Sequence, residues 1–299
     1  MTRSEGTIEV ENGVRLHYAA IGDGEPAVLV PVKCWLPVEF EVLAKGRRLI
    51  CYDSRGRGQS DPVPDASRIG IEQDVSDVDA IRRHFQLERV ALIGWSIYGN
   101  VVARYAMNYP ENVSRVVLAA PGPVRRQPYD SNALETRSAS LARVNPADIA
   151  RLQQMQKAGT VGRDEVSYRR QFFRVFVAMR MGNPADVEKV NLEAVSHLQN
   201  EWPDQFAAWW AAIDRSLGNW DWRRDVSKVT APVLVLQGDS DLSIPEEAGR
   251  EWAALARDGR MVTLKGIGHH IWIEAPEICY PVVNEFLSGD WPRLAVRAS

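Results

Sequence analysis

The sequence predicts an α/β fold in which a mainly parallel central sheet is flanked by helices and carries an inserted all-helical cap. Short apolar runs, typical of strands buried on both faces, alternate with helical spacing in residues 1–121 and again in residues 223–299. Between them, residues 122–222 show helix signals and no convincing strand. We therefore predict a core domain of residues 1–121 and 223–299 and a helical cap, or lid, of residues 122–222.

The core elements are predicted in chain order. Asn12-Gly13 favours a tight turn between two antiparallel strands, Thr7–Val10 and Val14–Ala19. Continuous apolar runs then predict the buried strands Val28–Pro31, Leu49–Tyr52, Val90–Gly94, Val116–Ala120, Pro232–Leu236 and Met261–Leu264. Helical spacing predicts the helices Glu72–Phe85, Ile97–Asn108 and Glu274–Leu287. Ligands of such sheets bind at the carboxyl ends of the strands, which a cap would cover.

The cap helices are predicted from their boundaries. Asn145-Pro146-Ala147-Asp148 combines an N-cap side chain, a proline at the first helical position and an acid in the first turn. Asn183-Pro184-Ala185-Asp186 repeats this chemistry. Gly159, Gly182 and Gly218 are predicted to end helices.

Composition and charge exclude several classes of function. The 299 residues include 36 Lys and Arg against 39 Asp and Glu, a formal charge of −3 without a long basic run, so we expect no nucleic-acid partner. No apolar run approaches the roughly 20 residues of a membrane span, and no signal peptide is visible, so we expect no membrane association. Cys34, Cys51 and Cys279 lack metal-ligand spacing and predict reduced thiols in a cytoplasmic protein. A small-molecule substrate, with no metal or organic cofactor, is the remaining expectation.

The segment from Val90 to Gly99 leads from a buried strand directly into a helix, with Ser96 at the junction. A sharp turn at this position lifts a serine hydroxyl above the sheet, as in a nucleophile elbow. The backbone N–H of Ile97, at the helix N-terminus, would point towards a developing oxyanion. The alternative is a serine that only caps the helix.

Acidic and histidine side chains follow later strands. Asp239 and Asp241 come directly after the strand at 232–236, and His269 and His270 lie on a glycine-rich loop after the last strand. A serine hydroxyl is a poor nucleophile at neutral pH, so it needs a histidine to accept its proton and an acid to orient that histidine. The order Ser, Asp, His supplies all three groups.

In these motifs the chain resembles the α/β-hydrolase superfamily over nearly its whole length outside the cap. It is most similar to the proline-iminopeptidase-like and esterase-like branch with a serine nucleophile. Residues 53–60 match the family's Asp-x-Arg-Gly-x-Gly-x-Ser turn, and residues 269–276 match its His-x(4)-Glu-x-Pro pattern. The resemblance implies an α/β-hydrolase fold and a catalytic triad of Ser96, Asp241 and His269.

The resemblance also decides between neighbouring candidates. Counting from Gly238 favours Asp241 and makes Asp239 a turn residue, and counting back from Glu274 favours His269 over His270.

Two positions depart from the family pattern. The elbow has Tyr98 where a small residue is usual, and we expect core packing there, with a contribution to the acyl pocket as the alternative. The first oxyanion loop reads Pro31-Val32-Lys33-Cys34-Trp35 and has no glycine for a positive-φ turn. A main-chain N–H is still available from any non-proline residue, and we predict that Cys34, or otherwise Lys33, completes the oxyanion hole with Ile97.

Several further side chains are candidates for the substrate pocket. The loop and the elbow contribute Trp35, Lys33, Trp95 and Tyr98, and the tryptophan-rich part of the cap contributes Trp209 and Trp210. Glu193 and Glu201 are the cap acids that could bind an amino terminus, although we expect both on solvated helix faces. Arg55 and Arg57 are expected to bond neighbouring carbonyls and acids.

Three functions remain open on sequence grounds. The leading hypothesis is a serine hydrolase that cleaves a carboxylic ester or lactone through an acyl-enzyme. The alternatives are a proline-iminopeptidase-like aminopeptidase, which needs a cap carboxylate, and a ligand-binding homologue without turnover, suggested by the altered oxyanion loop. Fold resemblance alone cannot choose among ester, lactone, amide and carbon–carbon substrates.

Overall fold

A single eight-stranded sheet organises the residues described by the computed structural model, which are 1–126, 133–159 and 165–298. The strands are β1 (Arg3–Glu9), β2 (Arg15–Ile21), β3 (Ala27–Pro31), β4 (Arg48–Tyr52), β5 (Val90–Trp95), β6 (Val113–Ala119), β7 (Val233–Gly238) and β8 (Gly259–Leu264). Their order in the sheet is β1-β2-β4-β3-β5-β6-β7-β8. β2 is antiparallel to β1 and β4, and all other neighbours are parallel, so the prediction of a mainly parallel sheet is confirmed.

The central strands are buried on both faces, as their continuous apolar composition predicts. In β3, Leu29 packs into the core on one side of the sheet, whereas Val28 and Val30 pack into the core on the other side. The N-terminal hairpin also forms as predicted, with Asn12 and Gly13 at φ of 67° and 73° in its turn. The parallel strands β3, β5, β6 and β7 therefore bring their carboxyl ends to one edge.

Helices cover both faces of this sheet. The core helices are α1 (Ile71–His84), α2 (Ile97–Asn108), α8 (Glu246–Leu255), α9 (Ile271–Glu274) and α10 (Pro276–Leu287). Side chains of α1, α2 and α8 belong to one apolar cluster, and those of α9 and α10 belong to the other. In the part of the chain that the structure describes, no helix is long and apolar enough to cross a membrane.

A helical insertion, comprising the described helices within residues 133–217, separates β6 from β7. Its helices are α3 (Ala133–Ala142), α4 (Pro146–Lys157), α5 (Glu165–Ala178), α6 (Leu192–Ser196) and α7 (Pro203–Leu217). The insertion has an apolar cluster of its own around Phe173 and Val177, which are fully buried. It is therefore held together by its own packing as well as by contacts with the sheet domain.

Two predicted boundaries of the insertion differ from the structure. Asn145 caps α4 by accepting the Ala147 N–H, as expected, but the same chemistry at Asn183 begins a short 3-10 helix rather than an α-helix. Gly182 does not end a helix at positive φ. Its missing side chain serves a close approach instead, because a Cβ there would lie 2.0 Å from the backbone oxygen of Gly266.

Candidate active site

Ser96 occupies a strained turn between β5 and α2. Its φ of 57° and ψ of −130° are uncommon for a residue with a side chain, and such conformations persist only when neighbouring structure holds them. The Ser96 N–H donates to the Ala119 oxygen at 2.9 Å, and the Ser96 oxygen accepts the Gly122 N–H at 3.1 Å. The turn also requires Gly94, where a Cβ would lie 2.3 Å from the Tyr98 oxygen. This is the geometry of a nucleophile elbow.

A chain of hydrogen bonds connects Ser96 to a histidine and an aspartate. Ser96 Oγ lies 3.0 Å from His269 Nε2, and His269 Nδ1 lies 2.7 Å from Asp241 Oδ2. The other Asp241 oxygen accepts the N–H groups of Ser243 at 2.7 Å and Ile244 at 3.0 Å. These bonds fix the carboxylate, so the structure brings the three predicted side chains into the arrangement of a nucleophile, a base and an orienting acid.

The neighbouring candidates lie elsewhere. Asp239 is exposed and accepts the Gly266 N–H at 2.7 Å, as expected for a turn residue. His270 is buried with its ring 5.1 Å from the Trp95 ring, and its Nε2 has no partner among the described residues. Burial lowers the pKa of His270 well below its ordinary value, and the nearby His269 adds to this effect. His270 is thus enclosed by the protein, and His269 is the histidine that faces Ser96.

The loop that carries His269 is attached to the helical insertion. The His269 N–H donates to the Arg180 oxygen at 2.8 Å. Glu274 accepts the N–H groups of Gly268 and His270, each at 3.0 Å, and of Gly182 in the insertion at 2.7 Å. Burial raises the pKa of Glu274, although these three N–H groups oppose the shift. The insertion and the histidine loop therefore share one set of backbone contacts.

The oxyanion loop after β3 differs from the prediction at Cys34. The Cys34 N–H donates to Asp53 Oδ1 at 2.7 Å, so it is engaged and the expectation that it would hold an oxyanion is wrong. Lys33 provides the neighbouring main-chain N–H, and its side chain donates to Gln59 Oε1 at 2.9 Å. Val32 adopts φ of 67°, the left-handed conformation that favours the glycine absent from this loop.

Asp53 is a functional candidate that the sequence analysis quoted in a motif without giving it a role. The side chain is fully buried, and its second oxygen accepts the Gln59 N–H at 3.0 Å. Burial raises the pKa of Asp53, and the N–H donors from Gln59 and Cys34 partly offset that shift. The carboxyl group thus links the turn at residues 53–60 to the oxyanion loop.

Glu201 also differs from the prediction, because it is fully buried instead of lying on a solvated helix face. It accepts both Nε and Nη2 of Arg57 at 2.8 Å, the Gly58 N–H at 2.9 Å and Trp35 Nε1 at 2.6 Å. Burial opposes ionisation, yet Arg57 and the other donors together lower the pKa of Glu201. No local pattern could have revealed this site, since Arg57 and Glu201 are 144 positions apart.

The second cap acid and the other arginine of the turn behave as predicted. Glu193 is exposed and pairs with Arg170 at 2.7 Å and His197 at 2.9 Å. Arg55 donates through Nε and Nη2 to Asp77 of α1 at 2.8 and 2.6 Å, in a pair that is almost completely buried.

The aromatic candidates Trp95, Tyr98, Trp209 and Trp210 lie in different surroundings. Trp95 lies beside the histidine, with its Nε1 donating to the His269 oxygen at 2.9 Å. Trp209 is buried against the Tyr98 ring, at 5.9 Å between centroids, which agrees with core packing for Tyr98. Trp210 is 46% exposed, with its ring 5.9 Å from that of Trp209, and its place in a substrate pocket stays a prediction.

Comparison with known proteins supports the same fold. A family model described as the alpha/beta hydrolase fold matches residues 28–276. The chain is 24% identical to a proline iminopeptidase from Heyndrickxia coagulans over 96% of this chain and 99% of that protein. Its structure is similar to an esterase from Rhodococcus sp. at a TM-score of 0.69 and 21% identity, covering 97% of this chain and 99% of the esterase.

A meta-cleavage product hydrolase from Pseudomonas fluorescens is similar at a TM-score of 0.70 and 17% identity, over 95% of this chain and 97% of the hydrolase. At such identities the likeness of the two structures concerns the fold alone. The family match, in contrast, spans most of the chain, from β3 to the start of α10. Sheet order, elbow and family match agree, and the chain belongs to the α/β-hydrolase fold family.

Proposed function

We propose that the protein is a serine hydrolase that cleaves a carboxylic ester or lactone of a small molecule. The observation that carries this proposal is the unbroken hydrogen-bond chain from Ser96 Oγ through His269 to Asp241, with distances of 3.0 and 2.7 Å. Ser96 is only partly buried, at the carboxyl end of β5. An oriented histidine beside an accessible serine is the requirement for acyl transfer.

The reaction proceeds through an acyl-enzyme. His269 accepts the Ser96 proton as Oγ attacks the carbonyl carbon, and Asp241 stabilises the imidazolium that forms. The N–H of Ile97, at the start of α2, holds the oxyanion together with the N–H of Lys33. The tetrahedral intermediate collapses when His269 protonates the leaving alcohol. A water molecule deprotonated by His269 then attacks the acyl carbon. The second tetrahedral intermediate releases the carboxylic acid as the bond to Ser96 Oγ breaks and Oγ takes the proton back from His269.

Ester or lactone cleavage is favoured over release of an amino-terminal residue because of the contacts of Glu193 and Glu201, the two cap acids that were candidates for binding an amino terminus. A buried ammonium needs a carboxylate partner, since an unpaired buried charge is strongly destabilising. Glu201 already accepts a bidentate arginine and two N–H groups, and Glu193 is exposed and already paired with Arg170 and His197. Neither carboxylate is available to an incoming amino terminus.

The experiment is an activity comparison between a series of p-nitrophenyl esters and a proline anilide, with a fluorophosphonate used to titrate the reactive serine. We expect clear preference for an ester by kcat/KM and one labelled site per chain. Ser96→Ala should abolish labelling and lower kcat by roughly 10⁴–10⁶.

Asp241→Asn and Asp239→Asn form a matched pair for the same assay. The first removes the acid that orients His269 and should lower kcat strongly, whereas the second changes an exposed turn residue and should leave kcat near the wild-type value. Labelling that survives in Ser96→Ala would refute the mechanism. A higher kcat/KM on the anilide would instead establish the aminopeptidase alternative.

A further inference from the structure

The Glu201 carboxylate joins three separate parts of the molecule. It lies on a 3-10 turn of the helical insertion, Gln199–Glu201. It accepts Trp35 Nε1 from the oxyanion loop at 2.6 Å, and the Cys34 thiol of that loop lies 3.6 Å from it. Its other donors, Arg57 and Gly58, belong to the turn that follows β4. The carboxylate thus contacts the insertion, the oxyanion loop and the sheet domain at one point.

The charge of this carboxylate is compensated within the protein. Arg57 approaches through two nitrogens, and its guanidinium lies 4.3 Å from the ring centre of Trp209 and 5.0 Å from that of Phe206. A bidentate arginine stacked on aromatic rings is a rigid partner. With its oxygens occupied by protein donors, Glu201 is suited to hold other groups in place rather than to bind a ligand.

The oxyanion loop contains a strained residue whose conformation must be held by neighbouring groups. Val32 is β-branched and adopts φ of 67°, a conformation that is unfavourable for its side chain and persists only under external constraint. Asp53 constrains the loop from the sheet domain through the Cys34 N–H at 2.7 Å. Glu201 constrains it from the insertion by accepting Trp35 Nε1–H at 2.6 Å. Lys33, the proposed oxyanion donor, lies between Val32 and these two attachments.

We infer that Glu201 is a positioning residue for the oxyanion hole, through which the helical insertion sets the place of the Lys33 N–H. The inference rests on the proposed hydrolase function. It assigns to this glutamate a part in turnover without contact with the substrate. Since the Lys33 N–H acts on the transition state, displacing it lowers kcat more than it changes KM.

The test compares Trp35→Phe with Trp202→Phe. The first removes the Nε1–H that Glu201 accepts and leaves a six-membered ring to pack against Phe173. The second is a matched control, because Trp202 directly follows Glu201 and its buried Nε1 has no partner among the described residues. Each variant is titrated with the fluorophosphonate, and kcat is expressed per titrated serine on the best p-nitrophenyl ester.

For Trp35→Phe we expect a fall in kcat per titrated serine of about 10-fold or more, with KM within about twofold. A trifluoromethyl ketone forms a tetrahedral adduct whose oxygen occupies the oxyanion hole, so its inhibition constant should rise by a similar factor. Trp202→Phe should change each of these quantities by less than about twofold. Arg57→Lys retains the positive charge and serves as the second variant if Trp35→Phe fails to fold, with the same pattern expected.

Three results would overturn the inference. They are equal kcat values per titrated serine in the two tryptophan variants, a loss confined to the number of titrated serines, or an unchanged inhibition constant for the ketone. Failure of the proposed function looks different, since the wild-type protein itself would then neither react with the fluorophosphonate nor hydrolyse the esters.

Discussion

Two arginines in one turn form buried ion pairs that connect different parts of the molecule. Arg55 binds Asp77 of α1 within the sheet domain, whereas Arg57, two residues later, binds Glu201 of the helical insertion. Both pairs are bidentate, and in both the side chains are at most 4% exposed. The first connects a turn to the helix beneath it, and the second connects the same turn to the insertion and to the oxyanion loop.

The carboxyl groups of Asp77 and Glu201 nevertheless differ in the direction in which their pKa values are shifted. Burial raises the pKa of Asp77 even with Arg55 beside it, whereas the pKa of Glu201 is lowered. The difference lies in the number of donors. Glu201 accepts two N–H groups besides those of Arg57, while Arg55 provides the hydrogen bonds to Asp77 found among the described residues. At Glu201 the further N–H donors add to Arg57 in offsetting burial, whereas at Asp77 burial outweighs the effect of Arg55.

The largest effect is expected for Glu201→Gln. Loss of the carboxylate leaves Arg57 charged and buried, which should lower the free energy of unfolding by about 3–5 kcal/mol. Asp77→Asn should be less destabilising, because burial already opposes the charge of Asp77. Urea unfolding measures both, and Glu201→Gln alone should also reduce kcat per titrated serine. If Glu201→Gln and Asp77→Asn lowered kcat equally, the two ion pairs would not differ in their effect on turnover.

The pH dependence of stability provides a second test of Glu201→Gln. A carboxyl group whose folded pKa is lowered stabilises the protein above its unfolded pKa, about 4.3 for glutamate, and that contribution is lost as the pH falls through the folded value. The stability difference between wild type and Glu201→Gln should therefore narrow as the pH falls below about 4.3. A difference that stays constant down to the acid transition would contradict the lowered pKa.

Exchange of Arg55 or Arg57 for lysine should have an intermediate effect on the free energy of unfolding. Lysine keeps the charge but loses the planar fork, and we expect a loss of roughly 1–3 kcal/mol at either position. Arg57→Lys should be the more destabilising, since Arg57 also stacks on Trp209 and Phe206. Thermal or urea unfolding at one pH ranks the two variants. The reverse order would show that the aromatic contacts add nothing.

A smaller effect of opposite sign is expected at Asp74, one turn before Asp77 in α1. Asp74 is 2% exposed, and neither of its carboxyl oxygens has a partner among the described residues. Burial and the nearby Asp77 raise the pKa of Asp74 well above its ordinary value. The contribution of Asp74 to stability should therefore fall as the pH rises from about 3.9 towards the folded pKa, so wild type should lose stability relative to Asp74→Asn.

At neutral pH Asp74→Asn should accordingly be more stable than wild type, by about 1 kcal/mol or more. The measurement is the free energy of unfolding of both proteins across pH 4–8, with Asp74→Leu as a probe of side-chain volume. A stability difference that does not change with pH would mean that Asp74 is ionised in the folded protein.

The smallest effect is expected at Glu193, the exposed cap acid. Its partners Arg170 and His197 are themselves exposed, and ion pairs of this kind contribute little. Glu193→Gln should leave the unfolding midpoint, kcat and the ratio of ester to anilide activity unchanged within error. A selective fall in anilide activity would favour the aminopeptidase hypothesis.

The sheet and the hydrogen-bonded arrangement of Ser96, His269 and Asp241 were predictable because their signals are local. Strands such as Leu49–Tyr52 are continuous apolar runs, and Ser96 follows such a run within a single motif. The state of the Cys34 N–H and of Glu201 was not predictable from the sequence. The Cys34 N–H binds Asp53, and Glu201 binds Arg57. Both partners are distant in the sequence and are brought close only by the fold.

Gly182 illustrates a prediction with the right position and the wrong reason. A glycine near the end of a helical pattern is typical of a terminator, but here its conformation is not left-handed. The glycine is needed because two backbones meet, and a meeting of remote segments leaves no trace in the spacing of nearby residues.

The contact at Gly182 restricts how segments can be exchanged between this chain and other members of its fold family. Gly268 faces Gly182 so closely that a Cβ at Gly268 would lie 2.3 Å from the Gly182 nitrogen. A chimaera that takes only the helical insertion from a relative would therefore place any non-glycine residue against the segment before His269. Residues 180–182 and 266–270 form one unit of exchange, and a successful graft has to transfer both segments together.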